Sequence, residues 1–155
     1  MNQEFQEIHG YRILKRIGQG GMGAVYKVEK NNLIYALKTI LPSTLDMESL
    51  ARFEREALAA EAVDKHPNIV SIHKLELNAQ PPFILMDFVE GQSLDQWIVQ
   101  DEPWPLEKVI QFLEPLAKAL DHMHSKGVIH RDLKPANILI RNPVSYTHLT
   151  LPTKA

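Results

Sequence analysis

Cysteine is missing from all 155 residues, which excludes disulfides, thiol nucleophiles and cysteine-ligated zinc. An excess of either charge is missing too. The 17 lysines and arginines face 19 aspartates and glutamates, leaving a formal net charge of −2. Such a balance gives no reason to expect nucleic acid or an anionic membrane surface as a partner. No apolar run approaches the roughly 18 residues that cross a bilayer. The opening "MNQEFQEIHG" is polar and acidic, unlike a secretory leader. These absences point to a cytoplasmic chain. There is no internal repeat and no H-E-x-x-H metal motif. His122 and His124 stand two apart, an offset that does not converge on an ion when helical. What is present, 45% hydrophobic and 23% charged residues, is the balance of a globular domain or one and a half small ones.

The apolar period divides the chain. "YRILKRIG", "AVYKVEK" and "LIYALKTI" alternate as strands do, the last two separated by the turn signal Asn31-Asn32. Short turns between them predict an antiparallel meander. Residues 46–63 change to helical spacing, with Met47, Leu50, Phe53 and Ala57 along one side. Pro67 stops that helix by disfavouring helical geometry at His66. "IVSIHKLEL" and "FILMDFV" follow as strands, parted by Pro81-Pro82. After Gly91, Ser93 and Gln96 form a capping box for the helix "SLDQWIVQ". A longer helix carries Leu106, Val109, Ile110, Leu113, Leu116, Leu120 and Met123 as one stripe, with Pro115 inside it and Gly127 as its stop. Trp97, Trp104 and that stripe read as packing. A small sheet with one helix, followed by helices, argues an α+β fold with two unequal lobes.

Three stretches carry chemistry. "GQGGMGAV" has glycines at 18, 20 and 23, and Val25 two beyond. Glycines let a backbone turn tightly and approach a phosphate unobstructed. A dinucleotide site needs a helix after its glycines, and a Walker loop needs Lys then Ser or Thr; here the strand "AVYKV" follows. Lys38 lies in "YALK" on the third strand, on the same face as the small Ala36, leaving room beside a cation. A buried ammonium needs a counter-charge, and the next helix offers Glu54, Glu56 and Glu61. Glu56 lies about 60° around the helix from Phe53, beside the apolar face, and is the expected partner. In "HRDLKPAN", Asp132, Lys134 and Asn137 share one loop. An aspartate can accept a hydroxyl proton, a lysine can balance a transferring phosphoryl, and an asparagine oxygen suits Mg²⁺.

Together these stretches resemble the protein-kinase signature set in order and approximate spacing over residues 11–141. Lys134, two after the aspartate, is the Ser/Thr form, and "GQGGMGAVY" with "HPNIV" is most similar to bacterial kinases of the eukaryotic type. The resemblance implies ATP and Mg²⁺ as cofactors and protein Ser/Thr hydroxyls as acceptors. It implies that Gly18, Gly20 and Gly23 cover the phosphates and that Lys38, paired with Glu56, holds two of them. Ile17, Val25, Ala36 and Leu139 would enclose adenine. Met86 would be the gatekeeper, and backbone groups of Asp87 and Val89 would bond the adenine edge. Asp132 would be the catalytic base, Lys134 would steady the γ-phosphoryl and Asn137 would hold Mg²⁺. His130 would pack the catalytic loop, and Arg131 implies regulation by activation-loop phosphorylation. The implied organisation is a small lobe at 8–90 and the start of a large lobe at 91–142.

The pattern then breaks. A kinase reaches D-F-G within roughly 10 to 15 residues of the asparagine, yet "RNPVSYTHLTLPTKA" has no aspartate, glutamate or glycine. The A-P-E motif is absent too, and "SYTHLTLPT" resembles spurious translation of adapter sequence. The expectation is a non-kinase, unstructured tail over 143–155 and a truncated, inactive catalytic fragment. A long helix lacking its covering neighbours should expose apolar surface. The alternative function is a non-catalytic nucleotide-binding or scaffolding module, like a pseudokinase.

Overall fold

The computed structural model describes residues 7–20, 23–40, 46–63, 65–100, 103–141 and 147–149. The elements run β1 (Glu7–Ile8), β2 (Tyr11–Gln19), β3 (Gly23–Lys30), β4 (Leu33–Ile40), α1 (Met47–Glu61), β5 (Ile72–Glu76) and β6 (Phe83–Asp87). They continue with β7 (Gly91–Ser93), α2 (Leu94–Gln100), α3 (Leu106–Ser125), a 3₁₀ turn (Pro135–Asn137), β8 (Ile138–Arg141) and β9 (Thr147–Leu149). No helix among these residues is long and apolar enough to cross a membrane.

The chain divides into two units, Met1–Ala57 with Ile72–Phe88, and Leu58–Ser71 with Val89–Ala155. The division between Phe88 and Val89 lies beside the expected one at 90/91, and Leu58–Ser71 groups with the second unit. Residues 58–71 join the second unit because Val63 and Ile69 are buried in one cluster with Leu116, Ala119 and Met123. Burial, not sequence order, assigns them.

In the first unit six strands form one antiparallel sheet, in the order β1-β2-β3-β4-β6-β5. Asn31 and Asn32 both adopt left-handed backbone, φ 52° and 63°, as a two-residue hairpin between twisted strands requires. Alternation then sorts side chains by face. Val28, Leu37, Phe83 and Leu85 share a core with Tyr11, while Ile40 and Ile84 pack with Phe53 and Ala57 of α1. The Asp46 carboxylate accepts the Ser49 N–H at 2.7 Å and caps α1. β2 does not alternate as its sequence suggests. Register shifts at Ile13/Lys15 and Arg16/Gly18 break the period, and Ile17 is left 44% exposed.

In the second unit Gln96 Oε1 accepts the Ser93 N–H at 3.3 Å, half of the expected capping box. α3 continues through Pro115. It ends where Gly127, at φ 74°, donates to His124 O at 2.9 Å and Val128 donates to Met123 O at 3.0 Å. This is the paired closure that a left-handed glycine makes possible. Only the later part of the expected stripe is core. Leu116, Ala119 and Met123 are buried, whereas Leu106, Ile110 and Leu113 are 73%, 54% and 49% exposed.

β8 pairs with β7 on one side and β9 on the other. The short strand β7 had no sequence signal. Gly91 makes its approach feasible, since a Cβ there would lie 2.0 Å from Ile140 O. The expectation of an unstructured tail is corrected at Thr147–Leu149, which pairs with Ile138–Ile140; the rest of that tail lies outside the described residues. Strand addition uses backbone groups, so it asks little of the side chains supplied.

Candidate nucleotide and phosphoryl-transfer site

The register of the first sheet collects the nucleotide-handling candidates. Gly18 opposes Val25, and Val25 opposes Lys38. Lys38 opposes Ile84, and Ala36 opposes Met86. Because paired residues share a face, Val25, Ala36, Lys38 and Met86 all project from the side that also carries α1. Ala36 is buried at 6% exposure, and Val25 and Met86 are half-buried. Lys38 Nζ donates to both carboxylate oxygens of Glu56, at 2.5 and 2.7 Å, and stands 5.8 Å from the Phe53 ring centroid. Glu54 and Glu61 are exposed. Helical phase thus placed the right glutamate beside the lysine.

Burial dominates the electrostatics of this pair. It pushes the Lys38 ammonium below its ordinary range, while Glu56 pulls it back. It pushes the Glu56 carboxyl up, while Lys38 pulls it down. Each charge therefore depends on the other to stay ionised in a dry setting.

The glycines of the loop differ from one another. A Cβ at Gly23 would stand 2.3 Å from Thr39 O, so this residue is required by the β3–β4 approach alone. A Cβ at Gly18 would make ordinary contacts with Val25, and one at Gly20 would meet nothing within 4 Å. Packing within the protein explains Gly23 but not Gly20, whose N–H donates to Gly23 O at 2.9 Å.

Asp87 ends β6, and Val89 is buried in the second unit. A residue that sequence reasoning missed lies beside Asp87: His73 Nε2 is 2.6 Å from Asp87 Oδ1. Nothing local signals this pair, which depends on the register of β5 against β6.

The second unit holds the catalytic-loop candidates. His130 is buried at 2% exposure, and Arg131 takes left-handed backbone, φ 59°, a conformation that costs free energy in a non-glycine residue. Asp132 N–H then donates to His130 O at 2.8 Å, completing a tight reversal. Lys134 Nζ lies 2.9 Å from Asp132 Oδ2. Asn137 is buried, and its Nδ2 donates to Asp132 O at 2.7 Å and to Asp132 Oδ2 at 3.0 Å. Pro135 begins the 3₁₀ turn that turns Asn137 back toward the aspartate. In β8, Ile138 and Ile140 enter the core, so alternation leaves Leu139 on the other face, half-buried.

These groups fit a magnesium ion carried by a nucleotide. Magnesium keeps most of its shell for water and phosphate and takes one or two oxygens from protein. With Nδ2 donating to Asp132, the amide oxygen of Asn137 is the atom that would ligate it. Among the described residues no cluster of three His, Cys, Asp or Glu could hold an ion unaided.

Known proteins resemble this chain in sequence and fold. The protein kinase domain family matches residues 11–150, which extends past the compositional break near Pro143. Probable serine/threonine-protein kinase PknB of Lactococcus lactis is 41% identical over 135 residues, covering 84% of this chain and 21% of the relative. Serine/threonine-protein kinase PrkC of Bacillus subtilis is 39% identical over 133 residues, covering 84% and 20%. The crystal structure of the Mycobacterium tuberculosis PknI kinase domain superposes with a TM-score of 0.77 at 29% identity, covering 100% of this chain and 64% of that one. The chain spans about a fifth of the curated relatives it matches. From its matched residues and its fold, this chain belongs to the protein kinase family, alongside the serine/threonine kinases of bacteria.

Proposed function

We propose that the chain binds ATP and, within a complete catalytic domain, directs its γ-phosphoryl to serine or threonine hydroxyls of protein substrates. The observation that carries this reading is the Asp132 carboxylate, held 2.9 Å from Lys134 Nζ and 3.0 Å from Asn137 Nδ2. Asp132 accepts the proton of the incoming hydroxyl as its oxygen bonds to the γ-phosphorus. The bond from that phosphorus to the β–γ bridging oxygen breaks, and ADP leaves with the electron pair. Lys134 supplies positive charge against the transferring group. Magnesium, when bound at Asn137, neutralises charge on the phosphate oxygens.

In the first unit Lys38, kept ionised by Glu56, binds the α- and β-phosphates, and Gly18, Gly20 and Gly23 cover them. Ile17, Val25, Ala36 and Met86 are the adenine-ring candidates of the first unit, and Leu139 and Val89 those of the second. In the first unit the backbone carbonyl of Asp87 accepts from the adenine amino group; in the second, the N–H of Val89 is the candidate donor to adenine. The 155-residue polypeptide carries no aspartate or glutamate after Asn137, so it lacks the further carboxylate that steadies magnesium in this reaction. Nucleotide binding is its expected activity; turnover is not.

The test is titration of the purified chain with a fluorescent adenine nucleotide, with and without Mg²⁺, beside a phosphoryl-transfer assay on a generic protein acceptor. Saturable, Mg²⁺-enhanced binding that Lys38→Met abolishes, with transfer at background, is expected. Absence of binding overturns the nucleotide reading, and robust transfer overturns the inactivity.

A further inference from the structure

β5 does not pair evenly with β6. Ile72 opposes Met86 and Lys74 opposes Leu85, so His73 is the extra residue of a β-bulge. A bulge re-aims the side chain it carries, and bulges concentrate beside functional sites. Here the imidazole reaches Asp87, Nε2 to Oδ1 at 2.6 Å. Tyr35 opposes Asp87 across β4 and β6, and its ring meets the His73 ring nearly edge-on, centroids 5.3 Å apart at 76°. One residue further on, the Phe88 ring carries Lys27 Nζ 4.3 Å from its centroid. Both residues that end the first unit therefore meet side chains from other strands of the sheet.

We infer that His73 is a positioning residue for adenine recognition: by holding the Asp87 carboxylate from the bulge, it sets the orientation of the Asp87–Phe88 peptide. This rests on the proposed nucleotide reading, in which the Asp87 carbonyl accepts from the adenine amino group. A carbonyl aimed in one direction separates adenine, which offers a donor there, from guanine, which offers an acceptor. The Nε2–H of a neutral or a charged imidazole can donate to Asp87, so the restraint does not require protonation. His73 and Asp87 are 42% and 47% exposed, and solvent limits such a contact to a modest effect.

The test compares His73→Leu, which removes the donor, with His73→Gln, which keeps an N–H donor, and with Asp87→Ala, in the full chain. Adenosine and inorganic tripolyphosphate serve as separate probes. In His73→Leu and Asp87→Ala, adenosine should bind about threefold to fivefold more weakly, while tripolyphosphate binding is unchanged. ATP-over-GTP preference should narrow by the same factor, and His73→Gln should recover most of both. The double variant His73→Leu/Asp87→Ala should be no worse than either single one. Equal weakening of both probes, or no change in adenosine binding, overturns the assignment. If the wild-type chain binds neither probe, the nucleotide reading fails, and amide hydrogen exchange decides the positioning role alone. The Phe88 and Val89 amides should then exchange faster in His73→Leu and as in wild type in His73→Gln. Identical exchange in all three chains overturns it.

Discussion

Lys38 and Glu56, 18 residues apart in sequence, meet through two hydrogen bonds of 2.5 and 2.7 Å with side chains only 10% and 11% exposed. The pair joins the third long strand to the helix that follows it. In so dry a setting the attraction offsets desolvation without adding much net stability, and each charge is costly without the other.

Removing one partner should therefore harm the fold more than removing both. Lys38→Met or Glu56→Leu alone should cost about 3–5 kcal/mol, and Lys38→Met/Glu56→Leu markedly less than their sum. Urea unfolding of the four chains measures this. The pH dependence has a definite sign. Burial already raises Glu56 above its ordinary 4.5, and losing Lys38 removes the force that lowers it. A raised folded-state value stabilises below the unfolded value and loses that stability as pH climbs through the folded one. The deficit of Lys38→Met should thus widen as pH rises above the ordinary carboxylate range; a constant deficit would show that Glu56 is not buried and charged.

The glycine loop should separate stability from binding. Gly23→Ala places a methyl 2.3 Å from a backbone oxygen and should cost about 1–3 kcal/mol. Gly20→Ala enters open space, so its melting temperature should hold or rise. Its affinity for a fluorescent adenine nucleotide should nevertheless fall. Calorimetry and titration on the same samples check both halves.

Asn137 ties the catalytic loop together. Asn137→Leu deletes its bonds to Asp132 O and Oδ2 at a buried position and should cost about 1–3 kcal/mol. The same change should flatten the dependence of nucleotide affinity on Mg²⁺, because the amide oxygen goes too. Titrations across a magnesium series read that slope; a slope equal to wild type removes Asn137 from the ion's ligands.

α3 should respond oppositely along its length. Leu116→Ala or Met123→Ala, at buried sites, should cost about 2–5 kcal/mol. Ile110→Glu and Leu113→Lys, at sites about half exposed, should change stability by less than about 0.5 kcal/mol. They should also reduce self-association in light scattering, since they interrupt an exposed apolar face. Wild-type chain that stays monodisperse at high concentration would contradict that second part.

Much of the site was legible because its chemistry is written at short range. Asp132, Lys134 and Asn137 fall within six residues, and a loop that short brings them together whatever surrounds it. Helical phase selected Glu56 over Glu54 and Glu61, and strand alternation put Ala36 beside Lys38. Asn31-Asn32 announced its hairpin because few residues accept left-handed backbone twice running. His73 was not legible. Its partner lies on another strand, and a bulge that no local pattern signals decides which way it points. The separate reason for Gly23 was hidden as well, since it lies in the backbone of β4.

Motif order and its resemblance to a known family pointed to the kinase family, and periodicity to the alternation of sheet and helix, because each depends on residue types at fixed local spacing. Packing decided the rest. It moved residues 58–71 into the second unit by burying Val63 and Ile69, and it covered one part of the α3 stripe while leaving another open. It also drew Thr147–Leu149 onto β8. Burial and strand register are properties of the whole fold: a side chain's environment is set by residues far away in sequence, and backbone pairing is nearly indifferent to the side chains it carries.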